Sequence, residues 1–168
     1  MTHPKLTQIS IDEAHKEITE SKKWIENVTG KECSMFCYPK GDFNDSVKQL
    51  VKEAGYKGAR TTEMWEFENT DDFAQPVSIQ IMPFPFRKSF RPIWKILDPM
   101  GPLRVHSPKL KEFGVPLKAC RSWLSLALYL YEDALKKSKP MFHLYGHSHE
   151  LEKYGMWEDL EKFLSAVK

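Results

Sequence analysis

Between residues 10 and 62 the chain passes twice from a helical to an extended hydrophobic period, and few folds accommodate that order. Ser10-Ile11-Asp12-Glu13 has the spacing of a capping box, with Ser10 as N-cap and Glu13 three residues on. Ile11, Ala14, Ile18, Ser21, Ile25 and Val28 then recur at helical spacing, and Gly30 supplies the stop. Ser34 to Tyr38 is a short apolar run ending at Pro39, which predicts a buried strand. Asn44 or Asp45 caps a second helix with Val47, Leu50, Val51 and Ala54 on its apolar face, and Gly55 ends it. Tyr56 to Thr62 predicts a second strand. Strands separated by helices this closely are expected to lie parallel in a sheet or barrel, so the fold class is α/β.

The second half is less regular. Residues 63–73 are acidic and loop-like, and Pro76 to Ile81 predicts a strand. Residues 83–116 hold seven of the prolines together with aromatics, and they predict an irregular segment. Leu117 to Lys137 predicts a helix with Trp123, Leu124, Ala127, Leu128, Tyr131 and Leu135 buried. Met141 to Tyr145 predicts a strand. Gly155 to Val167 predicts a last helix with Met156, Leu160, Phe163, Leu164 and Val167 inward. A length of 168 residues favours a single domain over 1–168.

Bulk properties narrow the function classes. A net charge of +2, with Lys and Glu interleaved along the helices, gives no nucleic-acid footprint. No apolar run is long enough to span a bilayer, and the polar start lacks a signal-peptide core, so no membrane and a cytoplasmic location are expected. Cys33, Cys37 and Cys120 are an odd count, read most simply as reduced thiols, and Cys33-x3-Cys37 is poor spacing for zinc.

Three short segments carry candidate chemistry. The first is Thr2-His3-Pro4-Lys5-Leu6-Thr7. A terminal histidine also fits a frayed, non-binding end, and a free amine with His at position three fits square-planar copper or nickel. The second is Phe36-Cys37-Tyr38-Pro39-Lys40-Gly41-Asp42, where a strand ends in a Pro-x-Gly turn. Such a turn can aim a backbone N–H at an oxyanion, and it is equally what a plain strand-to-loop turn looks like. The third is Phe142-His143-Leu144-Tyr145-Gly146-His147-Ser148-His149. His147 has the right unperturbed chemistry for proton transfer near neutral pH, and a buried structural histidine is the alternative. Strand alternation also leaves open a metal cluster of His143, His147 and His149.

Taken together these segments resemble the polysaccharide deacetylases of the NodB-homology type, carbohydrate esterase family four. His3-Pro4 is similar to the end of that family's His-[Ser/Thr]-x-x-His-Pro motif, Tyr38-Pro39-Lys40-Gly41 to its Arg-x-Pro-x-Gly motif, and Leu144-x-x-His147 to its Leu-x-x-His motif. The likeness spans 1–62 and 141–167, and the middle matches only in layout. The motif arginine is absent, with Phe36 or Cys37 near its place, and no Asp-x-x-Asp-Trp is present; Asp98 and Trp94 stand in the wrong order.

The resemblance implies a partial, distorted (β/α) barrel lacking its first strand or strands, with the family's Asp-Asp pair and first histidine expected upstream of Met1. It implies hydrolysis of acetamido groups on an N-acetylated polysaccharide or oligosaccharide. His3 would be a ligand of a divalent metal, expected to be zinc. The Lys40 N–H would be the oxyanion donor and His147 the general acid. Tyr38, Pro39, Gly41 and Leu144 would contact substrate, Leu144 walling the acetyl methyl. With so much missing, activity is expected to be weak or nil, and a non-catalytic remnant binding carbohydrate or a protein partner is the alternative. A homodimer covering the open barrel edge is a further expectation, which a monomer mass by solution scattering would contradict.

Overall fold

A computed structural model describes residues 2–86 and 98–167. The fold is mixed α/β with parallel strand pairing, and the backbone gathers into two compact units, Met1–Val77 and Ser78–Lys168.

In the first unit α1 is Ile11–Thr29, and both halves of the capping box at Ser10 and Glu13 are formed. Gly30 takes φ +64°, and its N–H closes the helix on the Glu26 carbonyl. The buried stripe is narrower than the spacing suggests: Ala14 and Ile18 are inside, whereas Ile11 is 54% and Val28 65% exposed. β1 (Met35–Cys37), β2 (Gly58–Met64) and β3 (Gln75–Val77) form a parallel sheet in that order, with Phe36 opposite Ala59. Between β1 and β2 runs α2 (Asp45–Glu53), capped by the Asn44 side chain, which accepts from the Val47 N–H at 2.9 Å. Val47, Leu50 and Val51 turn inward as their spacing requires.

In the second unit β4 (Ile79–Gln80) pairs in parallel with β5 (Leu144–Tyr145). The strand expected over Pro76 to Ile81 is therefore two, β3 and β4, divided at Ser78 and belonging to different sheets. The strand expected over Met141 to Tyr145 shrinks to two residues.

Residues 83–116 are not irregular throughout, because α3 spans Gly101–Glu112. Pro102 is tolerated in its first turn, where an N–H has no intrahelical partner anyway. Pro108 lies inside and leaves the Arg104 carbonyl without its usual donor; the Ser107 hydroxyl fills that place at 2.8 Å. The part of this segment at 87–97, Trp94 included, lies outside the described residues.

The helix expected over Leu117 to Lys137 breaks into a 3-10 turn (Leu117–Arg121) and α4 (Trp123–Lys136), because Ser122 caps α4 by accepting from the Ser125 N–H. Its buried face is Trp123, Leu126, Ala127, Leu130 and Ala134, not Leu124, Leu128 and Leu135. The run Trp-Leu-Ser-Leu-Ala-Leu-Tyr-Leu is apolar nearly all round, so period alone leaves the phase open. Trp123 sets it, donating its indole N–H to the Gln80 carbonyl at 2.9 Å. The last predicted helix is likewise two: α5 (Ser148–Tyr154) ends at Gly155, with φ +63°, and α6 (Trp157–Ala166) follows. Gly155 is thus a stop rather than a start, and Leu164 is exposed while Met156 and Phe163 are buried.

Candidate functional site

His3 stands at the head of a strap, residues 2–8, fastened at both ends. At one end the Thr2 N–H and hydroxyl donate to the Glu17 carboxylate on α1 at 3.0 to 3.2 Å. At the other, the Thr7 N–H and hydroxyl both donate to Asp42 Oδ2 at 2.8 Å. Between them Leu6 is buried in the core. Asp42 directly follows the Pro39-Lys40-Gly41 turn, so one carboxylate ties the first candidate segment to the second.

That turn leaves β1 by two consecutive left-handed residues, Lys40 at φ +57° and Gly41 at φ +68°. The Gly41 N–H donates to the Tyr38 carbonyl at 2.9 Å and the Asp42 N–H to the Pro39 carbonyl at 3.1 Å. Among the described residues no hydrogen bond occupies the Lys40 N–H, which leaves it available to an external acceptor. His3, Pro4 and Pro39 line a cavity of about 450 Å³, with Phe36 and Cys37 from β1 and Ile18 from α1. The first unit therefore brings His3 and Pro39, the first residue of the Pro-x-Gly turn, to one hollow. Partial desolvation pushes the Cys37 thiol up, partly opposed by Arg60.

Tyr38 is placed away from that hollow. Its ring is 1% exposed, stacked on Phe43 at 4.7 Å and edge-on to Phe36 at 5.4 Å, and its hydroxyl donates to the Phe73 carbonyl at 2.8 Å. Burial and then Asp71 push its phenol well above the ordinary value. What Tyr38 lends the turn is backbone; its side chain is core.

In the second unit β5 carries Leu144, half-buried, and Gly146 lets the backbone pass Ile81, where a Cβ would come within 2.9 Å of Cδ1. His147 is the N-cap of α5. Its Nε2 lies 2.7 Å from the Tyr145 hydroxyl and its Nδ1 3.0 Å from Glu150 Oε2. The family resemblance pointed to Leu144 and His147 but not to Tyr145 or Glu150. The signal for Glu150 was an acid three residues after a helix N-cap.

No group of three or more His, Cys, Asp or Glu side chains among the described residues is placed to hold a metal ion. The rings of His147 and His149 approach to 5.2 Å, but the strand ends at Tyr145, so the alternation that would align them with His143 does not apply. A catalytic zinc takes three protein ligands and His3 supplies one, so the described residues alone do not complete such a centre. Asp98 is engaged with Arg104 at 2.6 Å.

Residues 1–59 match the polysaccharide deacetylase family model, a segment that holds the strap, α1, the Pro-x-Gly turn and α2. Over these residues the chain is similar to the polysaccharide deacetylase family. The match ends before Leu144 and His147, so the deacetylase assignment of those two rests on motif likeness. A solved deacetylase from Streptococcus pyogenes, PplD in complex with acetate, is similar at 24% identity and a TM-score of 0.42, covering 60% of this chain and 42% of that one. This chain thus spans less than half of that deacetylase's length. No curated protein matches the chain. No described helix is long and apolar enough to cross a membrane.

Asp42 gives the segment that matches the family model a testable pH signature. The backbone bond from Thr7 is the main reason its carboxyl sits below the ordinary 3.8. A carboxyl depressed on folding contributes stability above its unfolded value and loses it as pH falls through the folded one. Asp42→Asn is therefore expected to melt lower than wild type at neutral pH, and the gap to close below about 3.8. Thermal unfolding of both proteins across that range checks it, and a gap independent of pH would mean the ionised form is not what holds Thr7.

Proposed function

We propose that this chain carries the machinery of a polysaccharide N-deacetylase, which hydrolyses acetamido groups on a sugar polymer. The observation that supports it best is the meeting of His3, Pro4 and Pro39, the residue that opens the Pro-x-Gly turn, around one hollow inside the segment that matches the family. In this reading the Lys40 N–H receives the oxygen of the acetyl group as negative charge develops on it. Water adds to the acetyl carbon and the carbon–nitrogen bond breaks, giving acetate and a free amino sugar; by the family resemblance alone, His147 of the second unit would deliver the proton to the leaving amine. Pro39 and Gly41 shape the approach to that N–H, and Leu144 walls the methyl group. A divalent metal, zinc by family, would supply charge stabilisation when bound. His3 is the residue of this chain that would hold it. The partial barrel, the single-domain organisation and the cytoplasmic location belong to the same proposal.

A second reading is a remnant without turnover that binds carbohydrate or a protein partner, favoured by His3 belonging to no group of three or more candidate metal ligands among the described residues. Acetate release from N-acetylated chito-oligosaccharides, with and without added zinc, separates the two. Slow zinc-dependent release that is lost in His147→Ala and in His3→Ala supports the enzyme. Saturable sugar binding without acetate supports the remnant, and neither result would remove both.

A further inference from the structure

The ring of His147 is gripped at both nitrogens, and the chemistry of the two partners decides where its proton sits. Glu150 is the third residue of α5, and Cβ vectors in a helix tilt toward its N-terminus, so a carboxylate there folds back over the N-cap residue. In a capping box it would take the N-cap backbone N–H. Here its Oε2 lies 3.0 Å from His147 Nδ1. An ionised carboxylate only accepts hydrogen bonds, so Nδ1 must be the donor. In the neutral ring Nε2 is then bare and accepts from the Tyr145 hydroxyl at 2.7 Å. The backbone fixes the same arrangement, since the Glu150 and Leu151 N–H groups both donate to the His147 carbonyl, at 3.0 and 3.1 Å. The His147 side chain is 43% exposed, so an outside group has access to it.

We propose that Glu150 is a positioning residue that holds His147 in its Nδ1–H form, leaving Nε2 as the nitrogen that takes up and gives away a proton, with the Tyr145 hydroxyl as its resting partner. The carboxylate stays on Nδ1–H whether Nε2 is protonated or bare, so ring orientation survives a full proton-transfer cycle. The catalytic consequence rests on the deacetylase reading above; the tautomer does not.

The test reads the imidazole nitrogen shifts of His147 by heteronuclear NMR in wild type, Glu150→Ala and Glu150→Gln. The expected result is Nδ1–H in wild type and a shift toward Nε2–H, the form free histidine prefers, in Glu150→Ala. Glu150→Gln, whose amide oxygen can still accept, should restore Nδ1–H at least in part. Wild type in the Nε2–H form, or a tautomer unchanged in Glu150→Ala, overturns the proposal. Where acetate release is measurable, Glu150→Ala should lower kcat roughly 10- to 100-fold with KM little changed, as loss of an orienting partner does. The expected tautomers in a protein that releases no acetate would uphold the positioning role and remove the deacetylase reading. Acetate release with an unchanged tautomer would do the reverse.

Discussion

Tyr38→Ala is expected to destabilise the first unit by about 3–5 kcal/mol, the usual cost of removing a large buried aromatic ring. The ring fills space between Phe36 and Phe43 in the core and is 1% exposed, so the surrounding residues have little freedom to close over the gap. Such a loss is comparable with the whole stability of a small domain. Tyr38→Phe keeps the ring and gives up only the bond to the Phe73 carbonyl, which costs about 0.5–1.5 kcal/mol. Denaturant midpoints for the two variants measure the difference directly. A pair of variants equally stable to wild type but weakened in sugar binding would instead return Tyr38 to the substrate surface.

Gly41→Ala is expected to cost about 2–4 kcal/mol, from two separate penalties. One is the left-handed backbone at φ +68°, which a side chain resists. The other is space. A Cβ there would stand 3.2 Å from Thr62 Cβ and 3.3 Å from its Cγ2, and closer still to its hydroxyl. Because β2 cannot move away without breaking its pairing with β1, the turn must shift, carrying the Lys40 N–H with it. Lys40→Gly is the control. Lys40 has a similar positive φ, and glycine relieves that strain, so its stability should stay within about 1 kcal/mol of wild type. Urea unfolding of the two variants decides it, and equal costs at both positions would mean that the contact with Thr62 plays no part.

Local chemistry was legible in the residues wherever a short segment decides its own structure. The capping box at Ser10, the Gly30 stop, the Asn44 cap and the parallel order of β1 and β2 all follow from spacing within a few residues. So does the Pro39-x-Gly41 turn. The misread places are those where distant partners decide. The apolar run of α4 has no unique face until the Trp123 indole meets the Gln80 carbonyl. The resemblance gave Tyr38 as a substrate contact, and its ring is core because Phe36 and Phe43 pack on it and the Phe73 carbonyl takes its hydroxyl.

The candidate site divides in the same way. The order of residues, through its resemblance to the family, put forward the groups that would carry chemistry: an imidazole at His3, a backbone donor at Lys40, and an imidazole at His147. Only the tertiary structure decided their partners. It tied Thr7 to Asp42 across 35 positions of chain, put His3 and Pro39 on one hollow, and set a carboxylate and a hydroxyl on the two nitrogens of His147. Spacing encodes torsions and near neighbours. Hydrogen bonds that span tens of residues arise only after the sheet and helices have packed, and no local pattern records them.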